Sequence, residues 1–411
     1  MAVARHHIAE SSQKRHLLQP MQTQTKSLVI FGGGASTFLA VITSNSVKHV
    51  FIGKEVQTCA LDQSIYTNPK PYQLFIFYPY LSVSSPMAST PTTKEIASEI
   101  PNLIKHYKDG TVERFFGSPH VPPSLNDPVT GVSSKDITIS HNPLISARLY
   151  LPQNQTKRLP ILVYFHGGGF CLESAFSSLD HRYLNRLVSE AQVIAVSVEY
   201  RLAPESPLPA AYDDAWTALQ WVASHSLNED DPSQREPWLA DYGDFDRVYI
   251  GGDSAGGNLA HNLAMKAGVE SLNGAVKILG AILSHPYFWG SDPVGSEPKG
   301  EDKLKSLPYL VWKFAYPSAD GGIDNPLINP MVSGAPSLAR LGCSRVLVCV
   351  AGKDELRDRG VLYYDLVKGS GWKGEAELFE VEGEEHCFHI LYEKETENVK
   401  RMIKRLADFL V

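Results

Sequence analysis

From about residue 92 onward, the apolar positions of this 411-residue chain fall into two alternating rhythms. Short, near-continuous apolar runs at 159–166, 193–199, 248–252, 278–284, 346–350 and 376–381 read as strands, of the kind covered on both faces. Between them, 183–191, 210–224, the stretch from Ala255 to about 266, 361–368 and 397–410 repeat at helical spacing, with Trp216, Leu219 and Val222 expected to face inward. Residues 111–116 and 136–140 read as further strands, and 145–151 returns after the His141-Asn142-Pro143 turn as a hairpin partner. Ile96, Ile100, Leu103, Ile104 and Tyr107 also sit at helical spacing, which predicts a helix broken or restarted at Pro101. Residues 228–244 form a polar loop. Residues 287–305 are rich in Gly and Pro and too long for a simple connection, so they read as a cap or pocket rim, with 307–316 as its helix. The alternation as a whole predicts an α/β fold with a mostly parallel sheet and helices on both faces.

Residues 1–86 break this pattern. They hold seven Lys and Arg against three acids, whereas the whole chain has 38 basic and 45 acidic residues and a net charge of −7. Their apolar runs, 27–42 around Gly32-Gly33-Gly34 and 72–83, fall short of the ~20 residues a membrane-spanning helix needs. The glycine run has no βαβ context and so makes a weak nucleotide site. The segment has the basic, acid-poor, Ser/Thr-rich character of an organelle transit peptide, but Met87-Ala-Ser-Thr reads more like a natural beginning. The expected organisation is an unassigned extension over 1–86, a misassigned start or a transit peptide, dispensable for folding and catalysis. A single catalytic domain follows over 87–411. A cytoplasmic location goes with the misassigned start, a plastid or other organelle with the transit peptide.

Composition narrows the function. Hydrophobic and charged fractions of 43% and 20% are those of a globular protein with a large core. No basic face suggests nucleic acid, and no stable membrane insertion is expected. Cys59, Cys171, Cys343, Cys349 and Cys387 are odd in number and lack C-x-x-C spacing, which argues for reduced thiols and against a metal knot. No metal-ligand spacing appears elsewhere, so neither metal nor cofactor is expected.

The chemistry concentrates where strands end. Gly252-Asp253-Ser254-Ala255-Gly256 is a G-x-S-x-G placed between an apolar strand and a helical pattern, the arrangement that pushes a serine hydroxyl off a sharp turn. The helix start beyond it offers free N–H groups and a positive dipole end to a developing oxyanion. Upstream, the strand ending at His166 runs into Gly167-Gly168-Gly169-Phe170, an HGGG-type oxyanion loop. A nucleophilic Ser254 needs an acid and then a base, each after a later strand. Asp354 fills the first place, with Glu355 or Asp358 as replacements. His386 fills the second, with His389 one helical turn on. Ligands in such sheets bind outside the carboxyl ends of the strands, where all four pieces lie. His166 is expected to order the oxyanion loop, Asp253 to brace the elbow, and Asp213, Asp214 and Cys387 to be structural.

The set His166-Gly-Gly-Gly-Phe170, Glu199-Tyr-Arg-Leu-Ala-Pro-Glu205, Gly252-Asp-Ser-Ala-Gly-Gly257, Gly352-Lys-Asp354 and His386-x-Phe388 resembles the plant carboxylesterases of the hormone-sensitive-lipase branch of the α/β-hydrolases, over about 90–411. The resemblance implies an α/β-hydrolase fold with a small cap, a Ser254, Asp354 and His386 triad, and an oxyanion hole from the amides of Gly168, Gly169 and Ala255, shaped by Gly167. It implies pockets shaped by segments around 95–107 and 287–316, with Phe170, Asp253, Tyr287 and Phe288 as candidate pocket residues and Trp289 beside them. It implies a small-molecule ester as substrate. Two departures exist in that family. Gibberellin receptors lack the catalytic histidine, which His386 supplies here. The 2-hydroxyisoflavanone dehydratases share the scaffold, so a lyase of that kind is the alternative.

Overall fold

The described residues of the structure, a computed structural model, are 94–411 apart from 154, 156 and 228–234, together with four strands between residues 27 and 57. The chain divides into two compact units, Met1–Ser89 and Thr90–Val411. In the first, strands β1 (Ser27–Gly33), β2 (Ser36–Thr43), β3 (Ser46–Ile52) and β4 (Glu55–Gln57) pair antiparallel in sequence order. The run around Gly32–Gly34 contributes to β1, and 72–83 lies outside the described residues.

The second unit opens with β5 (Ile96–Ile100), β6 (Ile104–Tyr107) and β7 (Val112–Arg114), a small antiparallel sheet. The helix expected over this stretch does not form. Pro101 has no N–H to donate and Asn102 takes a left-handed φ of 63°, so the chain turns, closed by Leu103 N–H on the Ile100 carbonyl at 3.0 Å. The four-residue spacing of Ile96, Ile100 and Ile104 is even, so it fits a period of two as well as a helix.

The main sheet follows: β8 (Ser133–His141), β9 (Leu144–Leu151), β10 (Leu159–Phe165), helix α1 (Ser178–Ala191), β11 (Ile194–Glu199), α2 (Ala210–Ser224), α3 (Pro237–Tyr242), β12 (Gly243–Asp253), α4 (Ala255–Ala267), β13 (Ile278–Ser284), α5 (Leu307–Ala315), β14 (Cys343–Ala351), α6 (Arg357–Gly369), β15 (Glu375–Val381), α7 (Phe388–Leu391) and α8 (Glu397–Phe409). The expected polar loop at 228–244 therefore contains a short helix and the start of β12. Strand order is β15-β14-β13-β12-β10-β11-β9-β8. The six strands from β15 to β11 run parallel, and the β8–β9 hairpin closes one edge antiparallel.

The continuous apolar runs have a simple cause. In β10, Ile161, Val163 and Phe165 enter one core while Leu162 and Tyr164 enter the other, so every position is buried. Helices α2, α4 and α6 cover the first face, α1 and α8 the second. Leu219 and Val222 point inward as expected, but Trp216 is half-buried, its ring 4.7 Å from Lys266 Nζ. After β10 the chain goes to β11 on one side and then to β12 on the other. This reversal opens a crevice at the carboxyl ends of β10 and β12, where the two loops richest in glycine meet.

Candidate active site

Ser254 sits between β12 and α4 with φ 51° and ψ −113°, a conformation that L residues avoid. The flanking glycines are obligatory for contact. A Cβ on Gly252 would lie 2.3 Å from the Phe165 carbonyl oxygen, and one on Gly256 would lie 1.8 Å from it. The turn is clamped to the end of β13, because Ser254 N–H donates to the Ser284 carbonyl and Tyr287 N–H donates to that of Ser254, both at 2.9 Å. Ala255 is buried at the start of α4, where a first-turn amide has no intrahelical partner.

Beyond β10, Gly168, Gly169 and Phe170 take successive positive φ values of 96°, 63° and 62°. A Cβ on Gly168 would meet the Leu172 carbonyl at 2.2 Å. The Gly168 carbonyl accepts from the Cys171 and Leu172 amides, while the Gly168 and Gly169 amides donate to no described residue. Asp253 wedges this loop: Tyr164 donates to its Oδ1 at 2.5 Å, Cys387 Sγ lies 3.5 Å from its Oδ2, and a Cβ on Gly167 would sit 2.2 Å from that same oxygen. Burial raises the Asp253 pKa against those hydrogen bonds. His166 orders the loop from behind. Its ring stacks on Tyr200 at 4.3 Å, its Nδ1 lies 2.8 Å from the Gly167 carbonyl, and burial lowers its pKa to about 4.

Asp354 and His386 come from loops after β14 and β15. These are zipped together by Gly352 N–H on the Val381 carbonyl (3.0 Å) and Lys353 N–H on that of Glu384 (2.9 Å). Asp354 Oδ1 accepts the Leu356 amide at 2.9 Å, and Oδ2 lies 2.7 Å from His386 Nδ1. Burial alone would raise the Asp354 pKa, but hydrogen bonds from His285 and His386 outweigh it and hold the carboxylate below its usual range. For His386, desolvation works against the charged ring. The bond to Asp354 and the charges of Asp354, Asp253 and Glu355 prevail, so its pKa is raised. The His386 side chain is 37% exposed and that of Asp354 2%. No hydrogen bond joins the Ser254 hydroxyl to His386, although both line one cavity.

The replacements are otherwise engaged. The Asp358 carboxylate is held by Ser296 and Arg357, Glu355 lines the cavity without bonding a histidine, and His389 is buried with neither ring nitrogen hydrogen-bonded. Asp214 is buried against Arg201, a structural pair.

The cavity holds about 550 Å³ and is mostly apolar. Gly167, Gly168, Gly169, Asp253 and Ser254 form its floor, and Leu103, Phe116, Leu307, Val311 and Leu391 belong to its wall. Tyr287 lines it and donates to the Pro308 carbonyl. Phe170 and Phe288 are not pocket residues as expected. Phe170 is fully buried among Tyr212, Tyr287 and Trp312, and Phe288 packs on His261 and Tyr363, because both follow sharp backbone turns that aim them into the core. Trp289 is buried as well, near Lys303 and Arg359.

Two residues escaped the sequence. His285, directly after β13, has its Nδ1 3.2 Å from the same Asp354 Oδ2 that His386 uses. Its place at the carboxyl end of a parallel strand was the available signal. Asp180, in the first turn of α1, lines the cavity although only 3% exposed, with no hydrogen bond to its Oδ1. Burial, with the charges of Asp253, Glu173 and Glu199, pushes its pKa well up. In sequence it reads as an ordinary acid at a helix start. The donor atoms of His285, Asp354 and His386 lie within 4.8 Å of one another, a cluster that sequence spacing did not reveal and that a metal ion could bridge. Here hydrogen bonds join the three.

Known proteins share this fold. A family model described as alpha/beta hydrolase fold matches residues 162–390. A 2-hydroxyisoflavanone dehydratase of Glycyrrhiza echinata is 62% identical over 325 residues, covering 79% of this chain and 98% of its own. Probable carboxylesterase 2 of Arabidopsis thaliana is 44% identical over 322 residues, covering 78% and 98%. Among solved structures, a hyperthermophilic esterase from Pyrobaculum calidifontis superposes with a TM-score of 0.53 at 32% identity, covering 70% of this chain and 87% of that one.

Proposed function

Because this chain belongs to the α/β-hydrolase fold family, we propose that it is a serine carboxylesterase acting on small, largely apolar carboxylic esters. The observation that carries this reading is the Ser254 elbow opening into the same cavity as His386, beside two oxyanion-loop amides that donate to no described residue. An ester carbonyl above Ser254 would direct its oxygen to the amides of Gly168, Gly169 and Ala255. Each such donor is worth about 3 kcal/mol to the tetrahedral intermediate. His386 Nε2 takes the serine proton as the carbonyl is attacked, the ring closing on Ser254 as substrate fills the cavity. Asp354, on Nδ1, fixes the tautomer and stabilises the imidazolium. His386 then protonates the departing alcohol, and water activated by the same ring releases the acid.

A second reading is favoured by the Glycyrrhiza relative: dehydration of a 2-hydroxyisoflavanone. Such a substrate is a β-hydroxy ketone. His386 would remove the proton between the ketone and the hydroxyl-bearing carbon, and the loop amides would hold the enolate oxygen. As the enolate collapses to the conjugated ketone, the protonated His386 would return that proton to the departing hydroxyl, which leaves as water. This route uses the same floor but needs no nucleophile. Turnover of p-nitrophenyl esters of rising chain length, beside a dehydration assay, therefore tests the proposal in wild type and Ser254→Ala. Ester hydrolysis that is efficient and lost in Ser254→Ala supports the esterase. Efficient dehydration that survives in Ser254→Ala, with feeble ester turnover, supports the lyase.

A further inference from the structure

Two histidines converge on one carboxylate oxygen, and only one of them reaches the cavity. His285 is fully buried, its Nδ1 3.2 Å from Asp354 Oδ2, while His386 binds the same atom at 2.7 Å. A carboxylate oxygen can only accept, so the proton of the neutral His285 ring must lie on Nδ1. Its Nε2 has no hydrogen-bond partner among the described residues, so nothing competes for the other tautomer. The backbone is also committed. His285 has φ 48°, and its N–H donates to the Cys349 carbonyl at 2.7 Å, tying the residue to the strand that leads to Asp354. The ring plane is fixed by His389, stacked at 5.4 Å, and by His386 and Phe388 edge-on at 5.6 and 6.0 Å.

We propose that His285 is a positioning residue of the site: its Nδ1–H holds Asp354 Oδ2 in place and takes a share of the oxygen's charge that would otherwise go to His386. The inference rests on the reading of His386 as base, and applies to hydrolysis and elimination alike. With the Leu356 amide on Oδ1, the carboxylate is pinned by three donors, which leaves its rotamer no freedom. The titratable groups facing His285 are Asp354, His386 and His389 from the neighbouring loops and α7, and Asp253 from the end of β12. Desolvation keeps the ring neutral in spite of the Asp354 bond, so it acts as a fixed dipole and not as a second cation.

The test compares His285→Phe, which fills the space without a donor, with His285→Asn, whose amide N–H takes the place of Nδ1–H. In His285→Phe, kcat for a p-nitrophenyl ester should fall about tenfold to a hundredfold with KM little changed. The acid limb of kcat/KM should move to higher pH, because Asp354 then gives its full charge to His386. His285→Asn should recover most of kcat and restore the limb. A purely packing role would lower the melting temperature without moving the acid limb, and that outcome, or an Asn variant no better than Phe, overturns the proposal. Histidine-labelled NMR of the unmodified chain gives a readout independent of turnover and of whether the variants fold. Two low-field imidazole N–H protons are expected, one each from His285 and His386, and a missing His285 signal overturns the proposal. Absent ester turnover in the wild type would count against the esterase reading alone, since the two N–H signals would still decide the role of His285.

Discussion

The floor of the cavity and its outer wall are built by different means. The floor, Gly167–Gly169, Asp253 and Ser254, together with Asp354 and His386 beside it, sits at the ends of parallel strands, and each piece is locked by close contacts that leave no room for a Cβ or by hydrogen bonds of 2.5–3.0 Å. The wall, made of Leu103, Phe116, Leu307, Val311 and Leu391, comes from turns, a short helix and loop ends, and several of its side chains are half exposed: Phe116 at 53%, Leu307 at 49%, Leu391 at 40%. On the proposed reading, the floor would fix a reaction geometry and the wall would choose what enters.

The sharpest way to break that contrast is to remove the floor's chemistry. Ser254→Ala and His386→Ala should each lower kcat by about four to six orders of magnitude, and the double variant should be little worse than either, because the groups act as a unit. Asp354→Asn should cost about four orders by favouring the wrong imidazole tautomer. Single-variant activity within tenfold of wild type would remove these assignments.

Next in size is the floor's geometry. Gly256→Ala places a methyl 1.8 Å from a backbone oxygen that cannot step aside. A destabilisation above about 4 kcal/mol is expected, seen as loss of soluble protein or a large fall in melting temperature. A variant that melts like the parent would show the elbow to be looser than described.

These two expectations rest on the part of the molecule that was legible in sequence. The strands around the site were readable because both their faces are buried, so hydrophobic runs are continuous, and G-x-S-x-G and HGGG are forced by contacts that exclude side chains. The stretch from Ile96 to Tyr107 was misread because Ile spacing of four suits a strand as well as a helix, and the turn at Pro101-Asn102 decided between them. Phe170 and Phe288 were misplaced because closeness to the site in sequence says nothing of the direction in which a side chain leaves a turn, left-handed at Phe170 itself and closed by Phe288 N–H on the Pro286 carbonyl at 2.9 Å. His285 and Asp180 carry no motif at all. Only folding sets them beside groups far away in the chain, His285 against Asp354 and Asp180 in the wall of the cavity.

Stability against pH sharpens the picture from another side. His166 and His261 are buried and neutral, with pKa values lowered by desolvation to about 4 and about 3, and His285 and His389 are lowered as well. The unfolded chain protonates these rings near pH 6.5 and the folded chain does not, so between those limits the unfolded state binds more protons. Melting temperature should therefore fall as pH drops from 7 toward 4.5. His386, whose pKa is raised, works in the opposite direction, losing its contribution as pH rises through its folded value. Melting temperatures that stay flat from pH 7 to 4.5 would contradict the buried neutral rings.

The wall should give the smallest effects and the most selective ones. Leu307→Ala or Phe116→Ala should change kcat/KM by about three- to tenfold, more for long acyl chains than for acetate. Equal losses on all chain lengths would mean these residues support the floor and do not sort substrates.

The central claim, that the floor performs covalent hydrolysis, is tested most directly by kcat/KM for a short p-nitrophenyl ester against that for 2-hydroxyisoflavanone dehydration, measured on the same preparation with a fluorophosphonate titrating Ser254. Ester turnover well above dehydration, falling to zero in proportion to Ser254 labelled, is the expected result. Dehydration well above ester turnover would contradict it.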